Sequence, residues 1–184
     1  TVINTTPDTT PPEFSSATVR GNQLVISYTE ANTLDATALA GNAGFAVSGA
    51  AGTAITVNSA VVSATDKTVT LTLSRTVVQG EVVSVSYTKP ATGNGVQDAA
   101  HNNAADFSSR AVTNNTPDRT PPQLITTGGG YQAPAISGYT GDVVLRFNDA
   151  SNLNEDPARK PAAGDFTVLV DGVARTVTDV SVSA

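Results

Sequence analysis

A chain of 184 residues with a formal net charge of −6, three lysines and no cysteine has the length of one or two domains. Its acidity excludes a nucleic-acid footprint, and the lack of cysteine excludes disulfides, thiolate metal sites and cysteine nucleophiles. No apolar run reaches the roughly eighteen residues of a membrane-spanning helix. The apolar residues are mostly Val, Ala, Leu and Ile, with no Trp or Met. They suffice for a packed core, and the acidic balance suits divalent cations.

In chain order, the phrase "NTTPDTTPP" (4–12) comes first, and "NNTPDRTPP" (114–122) nearly repeats it 110 residues later. Paired prolines forbid a helix interior and cannot donate to a sheet ladder, so each copy reads as a joint. After the first joint, short Val/Thr-rich runs alternate with turns. "QLVISYTE" (23–30) places Leu24, Ile26 and Tyr28 on one face. "KTVTLTLS" (67–74) does so with Val69, Leu71 and Leu73, and "EVVSVSY" (81–87) with Val83, Val85 and Tyr87. A period of two marks half-buried strands. The pattern predicts seven strands, at 14–20, 23–30, 43–49, 54–64 (with room for a split), 67–74, 82–88 and 107–113. Turns fall at Gly21-Asn22, Thr65-Asp66 and Gly80. Seven short antiparallel strands in about a hundred residues read as an Ig-like β-sandwich.

The second joint opens another copy. "VVLRFNDASNLNED" (143–156) follows the pattern of "LVISYTEANTLDAT" (24–37), "GDFTVLVDG" that of "AGFAVSGAA", and "ARTVTDVSVSA" (174–184) that of "AITVNSAVVSA" (54–64). An insertion, "GGGYQAPAISGYTG" (128–141), lengthens its first hairpin. Counterparts of 67–74, 82–88 and 107–113 do not follow. The expected organisation is therefore all-β. Residues 1–7 are the tail of a preceding repeat, 8–117 a complete repeat, and 118–184 the first half of a second. Short Pro-rich linkers join these tandem domains. The chain opens within the repeated phrase and reads as an excerpt of something longer, without a leader segment.

The two joints, "KTVTLTLS", and "VSVSYTKP…GVQDAAHNNAADF" resemble the SWM-type repeat, a bacterial Ig-like repeat of large secreted surface proteins and adhesins. The resemblance covers 8–118 and, more weakly, 118–184. The usual repeat has Gly after "QDAA", where His101 stands here, which puts the local turn in question. The resemblance implies an extracellular or cell-surface location, a spacer or adhesive role in a filament or biofilm, and no enzymatic activity.

Tracing strands alternately up and down gathers the acidic bends at one pole, beside the joint. Asp8, Glu30, Asp35, Asp66, Asp98, Asn102 and Asn103 fall there, with Asp106 in the same long loop. Like charges so close repel, and a hard cation with six to eight oxygen ligands resolves the conflict. Ca2+ suits such irregular loop ligands and would stiffen the joint. Asp8, Glu30, Asp35, Asp98 and Asn102 are the candidates in the first domain. By the same logic Asp118, Asp149 and Asp156, with Asn154, are those in the second. The competing reading is local turn chemistry of Asp and Asn, plus acidity for solubility.

Other chemistry is thin. His101 is the sole histidine and reads as a solvated loop residue. "TGGGY" (127–131) has no GK[ST] and is no phosphate loop. Glu155-Asp156 lie adjacent, without an aromatic sugar platform. Asn4-Thr5-Thr6 and Asn114-Asn115-Thr116 are incidental sequon-like triplets. The expected partners are neighbouring repeats of the same protein or neighbouring chains of a fibre. Two alternatives stand beside the spacer reading. One is a glycan- or protein-binding module using the 128–141 hairpin or the 89–106 loop. The other is an accessory domain of an enzyme.

Overall fold

The computed structural model describes residues 6–126 and 141–183. The 128–140 part of the predicted hairpin insert and residues 1–5 of the predicted tail, with Asn4 and Thr5 of the first sequon-like triplet, lie outside the described residues. The chain divides into two units, Thr1–Pro117 and Asp118–Ala184.

The first unit holds β1 (Glu13–Arg20), β2 (Gln23–Thr29), β3 (Phe45–Ser48), β4 (Ala54–Ile55), β5 (Val57–Ser63), β6 (Thr68–Leu73), β7 (Val83–Tyr87) and β8 (Phe107–Asn114). The hydrogen-bonded order is β4-β3-β7-β8-β1-β2-β6-β5. All neighbours pair antiparallel except β8 and β1, which meet in a short parallel contact at Thr18↔Thr113 and Val19↔Asn114. That contact joins a layer of β1, β2, β6 and β5 to one of β4, β3, β7 and β8, giving a β-sandwich.

The period of two explains the core. Leu24, Ile26, Tyr28, Val69, Leu71 and Leu73 from one layer, and Phe45, Val47, Val83, Val85, Tyr87 and Phe107 from the other, are all buried in one cluster. Fully burying an aliphatic side chain contributes about 1.5–3 kcal/mol, so this cluster dominates the stability of the unit.

The split for which the 54–64 strand left room is present: Ala54–Ile55 pairs with β3, and Val57–Ser63 crosses to pair with β6. Ile55 and Val57 are both buried, so the chain changes layers at Thr56 while keeping its apolar side inward. The 43–49 strand begins only at Phe45, because Gly44 sits at φ +84°, where a Cβ would meet the Thr88 carbonyl oxygen. A 3-10 turn at Ala50–Gly52 follows its end.

The second unit contains β9 (Gln123–Leu124), β10 (Phe147–Asn148), β11 (Val168–Val170) and β12 (Val173–Arg175). Its hairpins repeat the register of the first unit. Leu124 faces Phe147 as Phe14 faces Tyr28, and Val168 faces Arg175 as Val47 faces Ile55. Among its described residues none is buried, and Leu124, Phe147, Leu169 and Val173 are exposed.

Candidate metal centre

The pole of the first unit is assembled from four segments. The Pro-rich lead-in ends at Pro12, which is buried, and β1 starts at the next residue, once backbone N–H groups are free to pair. The β2–β3 loop docks on the β5–β6 turn through Leu34 N–H to the Ala64 carbonyl (3.1 Å). It docks on the β7–β8 loop through Asp35 N–H to the Gln97 carbonyl (2.9 Å) and the Leu34–Asp98 bridge. The β7–β8 loop is pinned to the core by Val96, whose N–H donates to the Tyr87 hydroxyl at 2.9 Å. Tyr87 itself packs between Phe45 and Phe107.

These dockings bring one carboxylate oxygen each of Asp8, Glu30 and Asp98 within 4.8 Å of one another. Asp98 is fully buried and Glu30 is 8% exposed. Asp98 Oδ1 accepts from the N–H groups of Ala100 (2.9 Å) and Asn102 (2.7 Å), and its Oδ2 from Asn102 Nδ2 (2.8 Å). Asp8 Oδ1 accepts from Thr10 N–H (3.0 Å) and Oδ2 from Asn32 Nδ2 (2.6 Å), and these bonds hold its carboxyl below the usual range. Glu30 Oε1 accepts from Asn32 N–H (2.9 Å). Its Oε2 is shut off from solvent and has no hydrogen-bond partner among the described residues. Lys67 turns its ammonium to the Glu30 and Ala31 carbonyls rather than to a carboxylate of the group.

The arrangement is thus three negative groups, two of them buried, with one acceptor atom unsatisfied. A buried unpaired carboxylate oxygen carries a desolvation cost of about 1–3 kcal/mol or more. Hard cations take this kind of oxygen set, and each hydrogen-bonded carboxylate oxygen still has lone-pair capacity.

Not every candidate joins the three. Asp35 lies next to them but is tied into its own network. Its Oδ1 accepts from Thr37 N–H (2.8 Å) and Oγ1 (2.6 Å), and its Oδ2 from Gln97 Nε2 (2.6 Å), with His101 Nδ1 at 3.6 Å. The Thr37 hydroxyl, Gln97 and the Thr37 N–H lower its pKa. Asn102 bridges the group through Nδ2, which donates to Asp98 Oδ2 and to the Asp8 carbonyl (3.1 Å). Asp66 accepts from Ser63, Asp106 from Lys89 N–H, and Asn103 reaches the His101 carbonyl, all at exposed positions outside the group. His101 is exposed at φ +67°, so the left-handed turn that Gly would favour is kept with a histidine in it.

In the second unit Asp118 accepts from Thr120 N–H (2.9 Å), and Asp149 from Ser151 N–H (2.8 Å). These are the contacts that Asp8 makes with Thr10 and Glu30 with Asn32. The Thr120 N–H is the main cause of a lowered Asp118 pKa. Asp156 instead accepts from Ala158 N–H and pairs with Arg159 at 3.8 Å. Asn154 Oδ1 caps the Asp156 N–H.

Sequence reasoning missed Asn32 and Lys67. The signal for Asn32 was its place two residues after Glu30, where a side chain on the same bend can turn back.

Two layers of mainly antiparallel strands, a Pro-rich joint and an acidic pole make the first unit a β-sandwich, and the short hairpins of the second unit repeat its register. The chain belongs to the SWM repeat family, described as a putative flagellar system-associated repeat, whose profile matches residues 7–92 and 117–184. No curated protein matches the sequence. Among solved structures, it is similar to domains 1-6 of the surface layer protein SbsC, with 21% identity and a TM-score of 0.45 over 62% of this chain. It is also similar to the N-terminal part of the bacterial S-layer protein SbsC, with 21% identity and a TM-score of 0.45 over 72% of this chain. The chain spans 15% and 32% of those two structures respectively.

Proposed function

We propose that the chain is a structural segment of a large bacterial surface protein. In this reading Ig-like sandwiches act as extracellular spacers, and Ca2+ at the pole beside each joint stiffens the array. Asp8, Glu30 and Asp98 would hold the ion in the first repeat. Asp118 and Asp149 are their counterparts in the second, which the shared hairpin registers support reading as the opening half of a further sandwich. The partners are neighbouring repeats or neighbouring chains of a filament, and the reading gives the chain no catalytic role.

The observation that carries it is Glu30, whose buried Oε2 has no donor among the described residues and whose carboxylate has an oxygen within 4.8 Å of one from each of Asp8 and Asp98. Asp8 belongs to the lead-in segment, Glu30 to the β2–β3 loop and Asp98 to the β7–β8 loop. An ion shared by all three ties the Pro-rich segment to the body of the sandwich. Such a clamp restricts the swing of the joint, and the proline pair already favours an extended path.

The test is thermal unfolding of the 184-residue chain in chelator and in about 10 mM Ca2+. Extracellular sites bind with Kd of about 0.1–1 mM, so occupancy stabilises by about 1.4–2.7 kcal/mol. The first-unit transition should rise by several degrees with Ca2+. Asp98→Asn should remove most of that rise. Coincident transitions in the two buffers would remove the cation from the function.

A further inference from the structure

We propose that Asn32 and Asn102 are donor–acceptor switches of this site: their amide NH2 groups stand in for the cation when it is absent, and their Oδ1 atoms bind it when it is present. The inference rests on the cation reading above and extends it to two uncharged side chains and to what holds the pole together without the ion.

Three ionised carboxylates in a small volume repel one another, and positive charge placed among them relieves the repulsion. No ammonium or guanidinium donates to Asp8, Glu30 or Asp98 side-chain oxygens in the described residues. Amide hydrogens do so instead. Asn32 Nδ2 lies 2.6 Å from Asp8 Oδ2. Asn102 Nδ2 lies 2.8 Å from Asp98 Oδ2 and 3.1 Å from the Asp8 carbonyl. These oxygens are of the kind a hard cation collects, and each amide carries the partial positive charge that substitutes for it.

The substitution is incomplete. Glu30 Oε2 receives no donor and is buried, which marks the place the amides do not reach. Asparagine is suited to two states. A half-turn about the last side-chain bond replaces two donors by one acceptor of nearly the same shape. An ion entering beside Glu30 repels the NH2 groups and attracts the carbonyl ends. The turn frees Asp8 Oδ2, Asp98 Oδ2 and the Asp8 carbonyl at the moment the ion needs them. Three carboxylates plus two amide oxygens then approach the six to eight ligands of Ca2+, with water or backbone supplying the rest.

The substitutions separate donor from acceptor. Asn32→Asp and Asn102→Asp keep an acceptor and lose the donor; Asn32→Ala and Asn102→Ala lose both. Ca2+ affinity is measured by calorimetric titration of the full chain, and stability in chelator by denaturant unfolding. The side-chain 15N–1H2 signals of the unaltered chain are followed as Ca2+ is added. All four variants should be less stable in chelator. The alanine variants should bind Ca2+ at least about tenfold more weakly. The aspartate variants should bind as tightly as the unaltered chain or tighter. The Asn32 and Asn102 NH2 signals should shift in step with saturation.

Unchanged affinity in the alanine variants, or stationary NH2 signals under saturating Ca2+, would overturn the switch while leaving the ion in place. Equal weakening in the alanine and aspartate variants would reduce the amides to scaffolding and overturn it too. Absence of Ca2+ binding by the unaltered chain would overturn both this inference and the reading beneath it.

Discussion

Replacing Glu30 by glutamine should raise stability in chelator and lower it in Ca2+, an inversion that a merely structural carboxylate would not produce. With its oxygen no more than 4.8 Å from those of Asp8 and Asp98, Glu30 takes part in two of the three repulsive pairs. Each pair is worth about 1 kcal/mol at the dielectric of water and about 3.5 kcal/mol at an effective dielectric of 20. The amides on Asp8 and Asp98 offset part of this, which leaves a net relief of about 1–3 kcal/mol for Glu30→Gln without the ion. The new amide also brings a donor to a place where Oε2 has no partner. In Ca2+ the variant gives up a charged ligand and with it most of the 1.4–2.7 kcal/mol of linkage stabilisation, taken as about that size. For a unit of this length, one kcal/mol moves the midpoint by about 3–6 °C. Calorimetric scans of both proteins in both buffers should therefore cross. If Glu30→Gln melts below the unaltered chain in chelator, the repulsion argument is wrong and Glu30 Oε2 has a satisfying partner in solution.

Two further perturbations test the scaffold. Gly44→Ala should destabilise the first unit by at least about 2 kcal/mol in equilibrium unfolding, because it combines a left-handed backbone with a clash against a carbonyl; a loss under about 0.5 kcal/mol would mean that the start of β3 can shift. Arg75 grips Glu81 with two bonds, at 2.6 and 3.0 Å, and lowers the Glu81 pKa to about 2 from 4.5. A depressed folded-state pKa gives stability that is present above pH 4.5 and lost as pH falls towards 2. The guanidinium is partly exposed, so solvent screening holds the contribution below what the shift alone implies. Urea unfolding should show Arg75→Gln closing its stability gap to the unaltered chain over that window; a gap independent of pH would reject the pair as its cause.

Much of the sandwich was legible because alternation is a local signal. Leu24, Ile26 and Tyr28 announce their face without reference to any partner. The layer change at Thr56 was not legible, since Ile55 and Val57 read as one continuous alternation whether or not the strand switches sheets. The late start of β3 was hidden for a related reason. Gly44 is decided by the approach of Thr88, which lies 44 residues away. At the pole, up-and-down tracing was enough to bring Asp8, Glu30 and Asp98 to one end. It could not say that Asp35 spends its oxygens on Thr37 and Gln97, or that Asp66 turns to Ser63. Those choices depend on ångström-scale loop paths that neither spacing nor composition encodes.

The two copies keep the same local contacts at the bend beside the joint. Turn chemistry alone requires only some Asp, Asn or Ser at each bend, and insertions are free to move them. Between the copies the first hairpin grows by a long insert, yet Asp118 keeps the Asp8 contact to a threonine two residues on. Asp149 likewise keeps the Glu30 contact to the N–H two residues on. The register beside them is kept as well, with Leu124 facing Phe147 as Phe14 faces Tyr28. The length of the hairpin thus varies between the copies while the backbone contacts of the bend beside the joint are kept. A spacer module would show this division, because its outward loops answer to whatever they meet and its joints answer to one mechanical requirement. At Ser151, which stands in the place of Asn32, the second copy has a hydroxyl where the first has an amide. That hydroxyl donates to Asp149 Oδ1 at 3.0 Å, and since a hydroxyl donates or accepts by rotating, the proposed exchange of donor for acceptor would be open to it as well.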